Sequence, residues 1–161
     1  MTGREPGRGA ATAAPHSPDT PCPDTVLLAV VAAHRRGQPL HGELLALGAR
    51  FEREAVTAPL YRMIALPGPG VARGGIVAAR TGGTGIEVEL HRLPVAAVAA
   101  LLSALPAPLA IGPVELVGGS ALGIVCVSEP TDAVDVSEHG SWPAYLAARD
   151  ERDRDGAAMA S

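Results

Sequence analysis

The sequence predicts an α+β fold: a small, curved, barrel-like mixed sheet of about six strands with two or three helices. Three observations predict it. Strand-patterned segments recur with hairpin-like turns between them. The helical segments fall at irregular places, without the strand–helix alternation of a doubly wound sheet. The 161 residues suffice for one domain with a real core, and the only aromatics are Phe51, Tyr61, Trp142 and Tyr145, so that core is aliphatic. The mouth of such a sheet, closed or half-closed as a barrel, provides a pocket.

Thr25 to Gly48, TVLLAVVAAHRRGQPLHGELLALG, organises the chain. Val26 to Ala33 is apolar on both alternating faces, the pattern of a central strand covered on two sides. The run stops at His34-Arg35-Arg36-Gly37, where Gly37 permits a positive φ and Pro39 suits a first helical position. A short helix follows over Leu40 to Leu47, with Gly48 after its C-terminus.

Arg50 to Ala58 reads as an irregular strand or extended connection. Leu60 to Leu66 is a strand broken by Pro67-Gly68-Pro69-Gly70, and Gly75 to Arg80 is another, closed by Thr81-Gly82-Gly83. Ile86 to Leu93 alternates cleanly, with Ile86, Val88 and Leu90 on one face and Glu87, Glu89 and His91 on the other. Pro94 opens a helix over Val95 to Leu105 that is apolar almost all round and is expected in the core. Pro113 to Val117 and Ala121 to Val127 flank Gly118-Gly119-Ser120, a hairpin signal. A last short helix near Trp142 to Ala148 closes the domain.

Three regions follow from composition. Residues 1–24, rich in Gly, Ala, Pro, Ser and Thr, are expected as a disordered tail, residues 25–148 as the domain, and residues 149–161 as a charged tail that extends the last helix by about a turn and frays.

The charge balance, 13 basic against 17 acidic residues, gives no electrostatic case for nucleic acid, and the few aromatics offer no stacking platform for bases. Every basic residue other than histidine is arginine. Without a lysine amine this chain alone is no Schiff-base enzyme, Walker-type phosphate loop or Ser–Ser–Lys amidase. Cys22 and Cys126 are expected as free thiols in a reducing compartment. The N-terminus lacks the order of a signal peptide, and the longest apolar run, Val26 to Ala33, is far short of a membrane span, so a cytoplasmic protein is expected. No metal is expected, because His16, His34, His41, His91 and His139 show no ligand spacing with each other or with cysteine. No cofactor is expected either. Ser120 and Cys126 lack a nucleophile elbow, and Cys126 reads as a packed core thiol.

The strand–turn–helix corner gathers backbone N–H groups, two guanidinium groups and two imidazoles near one point, a fit for a small anion. In the alternative arrangement His34 and His41 merely cap or pack, while Arg35 and Arg36 face water. Glu87 and Glu89 share a face with His91. That face is either solvated or lines the barrel mouth, where one carboxylate orients a urea-like N–H or holds the imidazole. Arg62 either points to the corner and pins a carboxylate or is a surface arginine.

Several strings, in order, resemble the C-terminal domain of allophanate hydrolase. They are LAVVAAHRRGQPLHGELLALGA at Leu28–Ala49, TAPLYRMIALPG at Thr57–Gly68, GIEVELHRLP at Gly85–Pro94, LPAPLAIGPVEL at Leu105–Leu116, GIVCV at Gly123–Val127 and HGSWPAYLA at His139–Ala147. The resemblance implies a γ-glutamylcyclotransferase-like fold and a place in urea and allophanate nitrogen metabolism. In that family an amidase-signature domain precedes this one, which either decarboxylates N-carboxyurea or serves in assembly; the present chain resembles the second domain alone. On that reading His34 or His41 is the general acid. Gly37, Gln38, Pro39 and Leu40 hold the anion with Tyr61 or Arg62, and Glu87 contacts the substrate. The implied partners are a small carboxylate substrate, a separate amidase-signature protein and, as a homodimer, a second copy of the chain. The chain departs from the family pattern at His41, Glu43 and Val127, where Asn, Gln and Glu are usual. Leu105–Gly112 carries no carboxylate of the kind cyclotransferases use.

Overall fold

The computed structural model describes residues 24–160. Apart from Asp24, the expected N-terminal tail lies outside the described residues, and Cys22 and His16 with it. The chain runs β1 (Thr25–Val30), α1 (His41–Ala46), β2 (Arg50–Val56), β3 (Tyr61–Leu66), β4 (Arg73–Ala78), β5 (Glu87–Pro94), α2 (Val98–Ala104), β6 (Leu109–Leu116), β7 (Gly119–Cys126), β8 (Val134–Asp135) and α3 (Trp142–Met159). The strands form one mixed sheet in the order β2-β5-β1-β7-β4-β3-β8, with β6 added along β7. The eight strands exceed the expected six by β2, which pairs with β5 across an irregularity between Phe51 and Arg53, and by the two-residue β8. The sheet stays open. Its end strands do not pair, and β2 leads into β6 only through an isolated bridge between Thr57 and Leu116.

β1 is central, as its two apolar faces require. It pairs antiparallel with β5 and parallel with β7. Leu28 and Val30 pack on one face with Leu44 of α1 and Leu101 of α2. Ala29 and Val31 pack on the other with Met63, Ile76, Val88 and Trp142. Gly37, at φ 76°, turns the chain out of β1, and Gly48, at φ 82°, ends α1. Pro39 does not open α1. It precedes Leu40, which takes the N-cap position.

One edge of β7 is shared by two parallel neighbours. β1 meets it at Leu122 and Gly123, and β4 meets it at Val125. The end of β1 and the start of β4 therefore part company against the same strand. This fork positions the site described below.

Two helices differ from expectation. Val95–Ala97 is a 3-10 turn ahead of α2, and the pair lies on the sheet rather than inside it: Leu101 is buried, but Leu102 is 47% and Val95 40% exposed. The sheet offers that helix only one apolar face to cover. α3 begins where the Ser141 hydroxyl accepts the Ala144 N–H, and it continues through the mixed-charge run to Met159 instead of fraying after a turn. Alternating arginine and acid residues with alanines favour the helix all the way. No helix among the described residues is long and apolar enough to cross a membrane.

Trp142 is the largest fully buried side chain, and it lies against Gly74 of β4. A Cβ at Gly74 would stand 2.3 Å from the indole and 2.8 Å from the Ile64 carbonyl oxygen. Gly74→Ala therefore forces the ring or the strand to move, and urea unfolding is expected to show a loss of about 1–3 kcal/mol. Unchanged stability would mean that Trp142 does not fix the position of β4.

Candidate functional site

The segment from Val31 to Leu40 leaves β1 and folds back over the sheet. Three consecutive side chains go to three places. His34 Nε2 donates to Glu43 of α1 at 3.1 Å. Arg35, only 4% exposed, donates to the Glu87 carbonyl at 3.0 Å and to its carboxylate at 2.6 Å. Arg36 donates to the buried Glu89 carboxylate twice, from its backbone N–H at 2.9 Å and from Nε at 3.1 Å. His91 Nε2 completes the set on Glu89 at 3.2 Å. Above them the Arg36 guanidinium stacks on Phe51, 3.4 Å from the ring centre.

The corner thus does hold an anion, and that anion is the protein's own Glu89. Burial pushes its carboxyl upward, but the hydrogen bonds from the Arg36 N–H, His91 and the Arg36 side chain outweigh that and hold it below the ordinary carboxylate value. His91, fully buried, is pushed down by its own burial, with Glu89 opposing. Its Nδ1 has no hydrogen-bond partner among the described residues. The face of β5 that carries Glu89 and His91 is not a solvated outer face, because the bend and α1 cover it.

These contacts correct several expectations. The N–H groups of Gln38 and Leu40 do not await a ligand. They donate to the Arg35 and Ala33 carbonyls, and Pro39 has no N–H to offer. His41 Nδ1 donates to the His34 carbonyl at 3.2 Å, so its ring braces the bend. Tyr61 lies in the core, where its hydroxyl accepts the Glu115 N–H at 2.8 Å. Arg62 is bound to Glu129 and Asp135. Glu87 is engaged by Arg35. The structure therefore brings together His34, His41, Glu43, Glu89 and His91, and places Tyr61 and Arg62 elsewhere.

The open space lies on the other side of the bend, in the fork between β1 and β4. Val30 to His34, Leu40, Arg73, Gly74, Leu109 and Ile124 line a recess of about 10 Å³. That volume is about enough for one water molecule or one ligand oxygen. The N–H groups of Ala32, Ala33 and His34 donate to no acceptor among the described residues. His34 closes one side of the recess. Burial pushes its imidazole below the ordinary value, Glu43 opposes, and Arg73 and His41 add to the lowering. Backbone N–H groups without protein acceptors beside an imidazole are the kind of donors that suit an oxyanion.

Arg73 was not expected in a site. It stands at the first position of β4, between the Pro67–Gly70 break and the strand expected from Gly75. The signal that could have found it is the Gly74-Gly75 pair just after it, which marks a close backbone approach. Among the described residues, no group of three or more His, Cys, Asp or Glu is placed to hold a metal ion.

The family model for the allophanate hydrolase C-terminal domain matches residues 26–147. The urea amidolyase of Saccharomyces cerevisiae is 34% identical over 135 residues, which are 80% of this chain and 7% of that protein. The chain thus spans a small part of its relative's length. Among solved structures, a Kluyveromyces lactis allophanate hydrolase superposes with a TM-score of 0.72 at 30% identity, over 76% of this chain and 21% of that one. A uropathogenic E. coli-specific protein superposes with a TM-score of 0.69 at 35% identity, over 76% of this chain and 96% of that one. A mouse AIG2-like protein, at 14% identity and a TM-score of 0.54 over 67% of this chain and 81% of that one, shares the fold alone. The γ-glutamylcyclotransferase-like architecture is therefore correct.

Glu89 gives a test of the bend. A carboxyl held below its ordinary value of 4.5 stabilises the fold above that pH, and the stabilisation is lost as pH falls through the folded value. Glu89→Gln is expected to reduce stability by about 1.5–3 kcal/mol at pH 7 in urea unfolding. The gap from the unsubstituted chain should narrow below pH 4.5. A gap that stays constant across that range would show that the carboxylate charge does not hold the bend.

Proposed function

Because the chain belongs to the allophanate hydrolase C-terminal domain family, we propose that it binds a small ureido carboxylate and releases CO2 from it, with N-carboxyurea as the type substrate. The observation that carries this reading is the recess at the fork, where the His34 imidazole stands beside the unpaired N–H groups of Ala32, Ala33 and His34. A carbamate anion is held by its carboxylate and breaks its carbon–nitrogen bond once the nitrogen is protonated. In N-carboxyurea the electron pair of that bond goes to nitrogen, which takes a proton from the His34 imidazolium. CO2 departs and urea remains. Ala32 to His34 hold the carboxylate oxygen, Glu43 orients the imidazole, and His41 positions the loop from behind.

Of the two histidines open from sequence, the geometry favours His34 as the acid, because His41 Nδ1 is tied to a backbone carbonyl. The match over 96% of the E. coli chain supports a domain that folds without a fused amidase half. A second reading is a non-catalytic module that assembles with a separate amidase-signature protein. It is favoured by the small share, 7%, of the urea amidolyase chain that this domain represents. Co-purification with an amidase-signature partner, together with no CO2 release from fresh N-carboxyurea, would select it. A cyclotransferase activity has the least support, since Leu105–Gly112 lacks a carboxylate.

His34→Gln is expected to lower CO2 release from N-carboxyurea by about 10²–10⁴-fold, while His41→Ala loses less. Wild-type turnover in His34→Gln would remove the assignment.

The pH profile follows from the sign of the shift. Burial lowers the His34 value, so at neutral pH most of the protein carries the neutral imidazole. A step that needs the imidazolium therefore quickens as pH falls, with its midpoint below 6.5, after subtraction of the uncatalysed rate. A rate that falls with acid would make His34 a base instead.

A further inference from the structure

The recess admits about 10 Å³, too little for a whole ureido carboxylate. Beside it lies a cleft of about 320 Å³ between the loop after β3 and the loops after α2 and β7. That volume lies at the lower end of the range for sites that enclose organic ligands larger than urea. Its walls include Pro67, Pro69, Val71, Pro106, Pro108 and Pro130. Proline contributes no N–H donor and a fixed φ, so these walls are rigid and present ring carbons and carbonyl oxygens rather than donors. Arg73 lines both the cleft and the recess. Among the described residues it is the only charged side chain on the cleft, and it makes no ion pair or side-chain hydrogen bond with another of them, whereas Arg35, Arg36, Arg62 and Arg92 are each paired.

We infer that the proline-walled cleft is a second subsite, which takes an uncharged substituent on the far nitrogen of an N-carboxylated urea, with Arg73 holding the carboxylate at the wall shared with the recess. One carboxylate oxygen reaches the N–H groups of Ala32 to His34, the guanidinium takes the other, and the body of the molecule lies along the prolines. The cleft has no carboxylate to pair with an ammonium group, so amino-bearing substrates such as γ-glutamyl amines are disfavoured. The preferred substrate class is therefore substituted ureido carboxylates rather than the unsubstituted anion. This rests on the proposed carbamate chemistry only for the reacting end.

Malonamate, the methylene isostere of N-carboxyurea, and N-butylmalonamate are stable probes for calorimetric titration of the full chain. N-butylmalonamate is expected to bind about tenfold more tightly than malonamate, and a terminal ammonium on the butyl group should remove the gain. Val71→Trp should erase the difference between the two probes while malonamate still binds. Arg73→Gln should weaken both by about tenfold or more, with the exposed Arg53→Gln as an unaffected control. If a substituted chain fails to fold, backbone NMR of the unsubstituted protein decides. The amides of Gly68, Gly70 and Val71 should then shift with N-butylmalonamate and stay in place with malonamate. Equal affinities for the two probes, binding of neither, or undiminished binding by Arg73→Gln overturns the inference. CO2 release separates it from the proposed function. Arg73-dependent binding without turnover keeps the subsite and removes the decarboxylase. Turnover of N-carboxyurea that Arg73→Gln leaves intact does the reverse.

Discussion

A buried carboxylate with three donors on it sets the geometry of this domain. Glu89 is 3% exposed and accepts from the Arg36 N–H, the Arg36 Nε and the His91 ring. A charge at that depth is tolerable only when it is paired and hydrogen-bonded. The donors come from the bend after β1 and from β5 itself, so the bend is fastened to the strand beside the one it leaves. Arg35 repeats the fastening one residue earlier, on Glu87.

That fastening decides which groups are free for a ligand. Arg35 and Arg36 neutralise internal acids and have no charge to spare. With Arg36 turned down onto β5, His34 faces Glu43 and the fork, and the N–H groups of Ala32 to His34 are left without acceptors among the described residues. Arg73 arrives at the same fork from β4 with its guanidinium unpaired among the described residues. The bend therefore separates two electrostatic tasks. Its β5 side is satisfied internally, and its fork side is electron-poor and open. The unpaired Nδ1 of His91 is a residual cost on the satisfied side, about 1–3 kcal/mol for a buried polar atom left without a partner.

Much of the frame was legible from local pattern. The two-sided apolar run of β1, the positive φ at Gly37 and Gly48, and the hairpin between β6 and β7 all follow from rules that span a few residues. What escaped was set by distant partners. Glu89 alternates with Val88 and Leu90 like any half-exposed strand residue, and nothing near it tells that a loop 53 residues earlier will cover it. The corner reads from sequence as a seat for a small anion, and an internal carboxylate, Glu89, takes the Arg36 donors there. Arg62 was open between corner and surface, and Glu129 and Asp135, distant in sequence, settled it. Arg73 sits next to a proline and glycine break, where strand periodicity gives no direction for its side chain. α2 was read as core because it is apolar all round, yet an open sheet offers it one covering face.

The claim that Glu89 holds the bend can be checked directly at one amide. Hydrogen exchange at the Arg36 N–H should be strongly slowed in the native protein and should quicken selectively in Glu89→Gln, together with the neighbouring amides of the bend, while exchange at β1 is unchanged. Rapid exchange at Arg36 in the unsubstituted protein, or protection that survives the loss of the carboxylate, would contradict the account.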